Sequence, residues 1–92
     1  MQDKSLICDK LEKKLSSTLI RGLGILVRTM QTGANLNLWV WKYEGKGIEC
    51  TVRRDENELE ISWKKKDENK WNWRWIHTEK DIDKIIEEMR LL

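Results

Sequence analysis

"KWNWRWIHT", residues 70–78, sets Trp71, Trp73 and Trp75 at every second position, between Lys70, Asn72 and Arg74. A period of two is the mark of a β-strand whose two faces meet different surroundings. Turned outward, the indoles would form a stacking platform; turned inward, they would form one wall of a core. Lys70 and Arg74 would then project from the opposite face.

Chain length supports one domain over residues 1–92, with a modest buried fraction and therefore a need for efficient core side chains. Six Trp and no Phe meet that need. Each Trp can bury roughly 200 Å², on the order of 5 kcal/mol gross at about 25 cal/mol/Å². That gain favours the inward reading of the ladder.

After Asn35 a period of two runs through four segments, near 36–44, 47–54, 58–64 and 70–77, divided by the turn signals "EGKG", "RDEN" and "KKDEN". A two-residue turn at Gly45-Lys46 sets Tyr43 opposite Ile48, Trp41 opposite Cys50, Trp39 opposite Val52 and Lys42 opposite Glu49. A second at Asp55-Glu56 opposes Val52 with Leu59, Cys50 with Ile61 and Arg53 with Glu58. In the last hairpin, Trp63 against Trp71 brings Ile61 to Trp73, Leu59 to Trp75 and Glu60 to Arg74. Apolar pairing and charge pairing agree throughout, placing every aromatic residue on one side of an antiparallel meander. Leu38 and Val40 fall on the otherwise polar side, where apolar residues suit a partner or dimer contact.

Before the strands, Leu11, Leu15, Leu19, Leu23, Leu26 and Met30 recur at spacings of three and four, predicting an amphipathic helix from Asp3 to about Thr32 with Gly33 as its C-cap. "RGLG" is its weak point, since Gly22 and Gly24 each cost about 1 kcal/mol in a helix interior. The rival reading ends the helix near Ile20 and makes "GILVRTM" a strand paired with "NLNLWVW" across "QTGA". Gly22, on the helix stripe, could also admit another element closely. After the strands, Thr78 and Asp81 open a capping-box-like start to a short helix with Ile82, Ile85, Ile86 and Met89 on one face.

A sheet apolar on one side needs a cover, and two helices flank it. The predicted fold is α+β, a two-layer sandwich of order α-β-β-β-β-α, with a long N-terminal and a short C-terminal helix on the aromatic face of a four-stranded antiparallel meander. In layout alone it resembles the frataxin arrangement of two helices on a sheet. That family's acidic first helix has no counterpart here, and nothing about function follows.

The charged fraction is 37% but the net charge is only +2, which excludes a polyanion-binding tail or an acidic solvating segment. Cys8 and Cys50 lack CxxC spacing and accompany a single His, so neither a disulfide framework nor a metal site is expected, and a cytoplasmic setting is the default. The longest apolar run, "ILV" at 25–27, is too short for a membrane span. No cofactor motif occurs, whether GxGxxG, GxxxxGK[ST] or HExxH, and His77 sits at a strand-to-helix junction without a Ser or Cys to activate. Catalysis is not expected.

Two groups of cations remain as candidate contacts. On the expected long helix, Lys10, Lys14, Arg21 and Arg28 fall within about 40° of one another at 100° per residue. Lys64, Lys65, Lys66 and Lys70 gather at one hairpin end, with Arg74 on the polar face of the last strand. The expectation is a small non-catalytic interaction protein of adaptor or inhibitor type, of phage or mobile-element origin, binding a macromolecule through these residues. Protein is the expected partner. The alternative is a nucleic-acid-binding module in which the same cations meet phosphate. A homodimer is compatible with either.

Overall fold

The computed structural model describes residues 4–32 and 38–92, and the side chains of residues 6–25 and 39–92. Helix α1 (Lys4–Ser17) runs into a wide π-helical turn (Thr18–Gly22), followed by strands β1 (Leu26–Thr32), β2 (Leu38–Gly45), β3 (Ile48–Asp55), β4 (Glu58–Lys65) and β5 (Asn72–Ile76), and helix α2 (Glu79–Arg90). The strands form one antiparallel sheet of order β1-β2-β3-β4-β5. The α+β sandwich, the meander and the flanking helices agree with expectation. The sheet, however, has five strands, because residues 26–32 form a strand where the hydrophobic stripe predicts helix.

The long helix stops at "RGLG" for a backbone reason. Gly24 adopts φ +68°, and Ile25 N–H donates to the Leu19 carbonyl at 3.0 Å, closing the helix end across a left-handed residue. Beyond it, Ile25, Val27 and Thr29 are β-branched and suit a strand. Gly33, the expected C-cap, lies outside the described residues, as do the side chains of Arg28 and Leu38. Gly22 does not mediate a close approach: a Cβ there would meet Arg90 and Thr18 at an ordinary 3.5 Å. Gly45 does, because a Cβ would stand 2.8 Å from the Gly24 carbonyl oxygen and 3.1 Å from Ile25 Cα.

The first two hairpins turn one residue later than expected, which shifts each cross-strand pairing by two. Lys46 (φ 53°) and Gly47 (φ 73°) form the first turn, with the positive φ pair of a type I′ loop. Tyr43 consequently faces Cys50, and Trp41 faces Val52. In the second hairpin Val52 faces Ile61, and Cys50 faces Trp63. A shift of two leaves every side chain on its expected face. Ile48, Cys50, Val52, Leu59, Ile61, Trp63 and Tyr43 are buried against Cys8, Leu11, Leu15 and Leu19 of the first helical segment and Ile82, Ile85, Ile86 and Met89 of α2.

At its margin, Arg54 is 8% exposed. It donates to Asp9, to Glu12 at 2.7 Å and to the Glu56 carbonyl at 2.9 Å, while lying 5.7 Å from the Trp39 ring centre. This network binds α1 to β3. The helices are themselves bridged by Lys14 and Asp83 at 3.4 Å.

Candidate partner-binding surface

The third hairpin is shifted by one residue, and that changes the surface of the molecule. Trp63 pairs with Asn72, Ser62 with Trp73, Ile61 with Arg74, Glu60 with Trp75 and Leu59 with Ile76. Asn72, Arg74 and Ile76 therefore share the helix side. Trp71, Trp73 and Trp75 face away from the helices and are 47%, 53% and 43% exposed. The inward reading of the ladder is overturned.

The connection to α2 explains the choice. Two residues, His77 and Thr78, separate β5 from α2, so the last strand residue must enter the core where the helix begins. Ile76 does so, in one cluster with Ile82. The capping box pins that geometry. Thr78 accepts from Asp81 N–H at 3.3 Å, and the Asp81 carboxylate accepts from His77 N–H at 2.8 Å and Thr78 N–H at 3.0 Å. These backbone N–H bonds, His77 first, hold the Asp81 carboxyl below its usual range. With Ile76 inward, strand alternation sends all three indoles outward. Ile76 beside the Thr78 cap was the available signal, outweighed by the area that three buried indoles would have gained.

Trp73 and Trp75 meet edge to face, with ring centres 5.4 Å apart. Trp75 also lies 6.4 Å from His77, with ring planes 15° apart. Lys64 Nζ stands 5.6 Å from the Trp71 ring centre and 3.1 Å from Glu49. Together the indoles expose roughly 300 Å², within the size range of the largest, often functional, apolar patch on a monomer.

Around them, the alternation of β2, β3 and β4 places Val40, Lys42, Glu44, Glu49, Thr51, Arg53, Asp55, Glu58, Glu60, Ser62 and Lys64 on the same face. Among the described residues this face has four cations, Lys42, Arg53, Lys64 and Lys66, against five carboxylates, Glu44, Glu49, Asp55, Glu58 and Glu60. The surplus of carboxylates lies at the Trp75 end, with Asp55, Glu58 and Glu60, although the chain is basic overall.

The expected cation sites come out differently placed. Lys10 is exposed on α1, Arg21 is exposed in the π-helical turn, and Lys14 is engaged with Asp83. Arg28 belongs to β1, at the irregularity between Val27 and Thr29, so no single helix face carries all four. Lys64, Lys65, Lys66 and Lys70 do gather at the end of the β4–β5 hairpin. There Lys66 pairs with Glu44 at 2.8 Å, and Lys65 and Lys70 are exposed. Arg74 is not on the outer face: it reaches Glu88 of α2 at 3.2 Å and lies 5.8 Å from the Trp63 ring centre.

Among the described residues, no group of three or more His, Cys, Asp or Glu side chains is placed to hold a metal ion, and no helix is long and apolar enough to cross a membrane. Cys8 and Cys50 are free and buried, and burial pushes the Cys50 thiol up to about 12. No protein-family model, curated protein or solved structure matches the chain.

Proposed function

We propose that this protein is a non-catalytic binding protein, of adaptor or inhibitor type, that docks another protein through the helix-free face of its sheet. The exposure of Trp71, Trp73 and Trp75 carries this reading. All three indoles remain outside the buried core, whereas large aromatic side chains dominate the energetics of protein interfaces. The surrounding charge supports a protein partner, because an excess of carboxylates repels a phosphate backbone.

The photo-crosslinker p-benzoylphenylalanine at Ser62, opposite Trp73, tests the face directly. In nuclease-treated lysate of the native host, it should yield one protein adduct that Trp71→Ser with Trp73→Ser abolishes. The same crosslinker at the exposed Lys10 should give none. Capture from Lys10 alone, or capture indifferent to the Trp substitutions, would refute the proposal.

One observation favours the nucleic-acid alternative. Three indoles at strand spacing on a helix-free sheet resemble the stacking surfaces of single-strand binders, and Lys65 and Lys70 lie exposed nearby. Such binding should weaken steeply with added salt. A failure to retain any single-stranded DNA or RNA at about 50 mM salt would eliminate it.

A further inference from the structure

Strand β5 ends the sheet with β4 as its one neighbour. Its other edge presents backbone N–H and C=O groups that no strand of the described residues pairs, the feature by which a sheet accepts an additional strand. Hollows lie on both sides of that edge. On the helix side a groove of about 390 Å³ runs between Arg74, Trp75, the α2 residues Ile85 and Glu88, and Leu91 just beyond the helix. On the outer side a hollow of about 170 Å³ is lined by Arg53, Asp55, Glu58, Glu60 and Trp75. Trp75 borders both. An added strand would send alternate side chains to the two sides.

Charge identifies what would occupy the outer side. Asp55 and Glu58 stand directly opposite one another, a destabilising arrangement of like charges. Arg53 is the one cation of the hollow, and it approaches Asp55 only to 4.0 Å. At the far end of the same face Glu44 and Glu49 are opposed in the same way. There the chain supplies its own cations, with Lys66 at 2.8 Å from Glu44 and Lys64 at 3.1 Å from Glu49. Lys64 also covers the Trp71 ring. Carboxylate, cation and indole are thus assembled at Trp71. At Trp75 the carboxylates and the indole are present, and no cation of the described residues lies over the ring.

We infer that the open edge of β5 accepts an extended basic segment of the partner as a sixth strand, with a Lys or Arg side chain seated over Trp75 against Glu58 and Glu60. This rests on the reading of the outer face as a protein-docking surface and specifies the partner's chemistry. A guanidinium suits the position best, since it stacks on an aromatic face while pairing with carboxylates.

The test titrates the isotopically labelled full chain with three capped octapeptides: alternating Arg-Thr, alternating Glu-Thr, and the Arg-Thr peptide N-methylated at alternate amides. The Arg-Thr peptide should shift the amide resonances of residues 72–76 and bind at least about tenfold more tightly than the Glu-Thr peptide. N-methylation should abolish the shifts by blocking backbone pairing. Glu58→Lys with Glu60→Lys should weaken binding by about tenfold or more while leaving the remaining spectrum in place.

Absent or equal binding of the first two peptides, shifts centred on α1, or indifference to N-methylation or charge reversal would overturn the inference. A concentration-dependent dimer with the same amides shifted in the absence of peptide would also overturn it, by assigning the edge to a second copy. Any of these results leaves the crosslink at Ser62 and its Trp dependence standing as a separate outcome.

Discussion

Trp63 and Trp73 stand on neighbouring strands, one residue out of step, and the first is 2% exposed while the second is 53% exposed. Removal of each should therefore have a different consequence. Trp63→Ala leaves a cavity among Cys50, Ile61 and the helices and should cost about 3–5 kcal/mol. Trp73→Ser should change stability by about 1 kcal/mol or less. Urea denaturation followed by far-UV circular dichroism separates the two, and comparable losses would contradict the outward placement.

Asp81 belongs to the same scale. Its pKa is lowered in the folded chain, so its contribution is complete above the unfolded carboxyl value and is lost as pH falls through the folded one. Asp81→Asn should accordingly be less stable than the parent near neutral pH, and the gap should close below about pH 4. A gap independent of pH would show that the charge is immaterial to the cap.

At the scale of elements, hairpin register decided what could be read in advance. The strand spans near 47–54 and 58–64, the short C-terminal helix and the Thr78–Asp81 box were legible, since period and cap chemistry reside in adjacent residues. The first two turns were placed two residues out of register, an error without effect on facing. The third was displaced by one, which inverted the face of β5, sending its indoles to the open side and Arg74 to the helix side. Loop composition at "KKDEN" does not distinguish these registers. The short link to α2 does, through Ile76.

Ending the first helix raised a similar conflict, between a continuous leucine stripe and two glycines, and the backbone resolved it. β1 then starts so close to the end of β2 that Gly45 has no room for a side chain. Gly45→Ala should cost about 1–3 kcal/mol by overpacking, whereas Gly22→Ala, in open contact, should be tolerated. Thermal denaturation monitored by circular dichroism would expose the difference.

For the whole molecule, the extents of 41 × 30 × 22 Å leave the shortest dimension sufficient for two layers of secondary structure. Both helices occupy one of them, so the far side of the sheet is surface. Charge is sorted across these layers. The chain carries +2 overall, yet carboxylates outnumber cations on the outer face. Helical spacing singles out the cations of the first segment, and only the facing of individual residues reveals the surplus of carboxylates beside Trp75. That facing follows from the register that buried Ile76 and the Thr78 cap impose on β5.

The outward ladder also determines what light can report. With Phe absent and half of the six indoles on the surface, the native emission spectrum should already contain a large, red-shifted and readily quenched component. Unfolding would alter it less than in a protein whose indoles are all enclosed. Contact at the outer face would alter it more, since Trp71, Trp73 and Trp75 would lose their water together. Intrinsic fluorescence in this protein is a dull thermometer for folding and a sensitive indicator of occupancy.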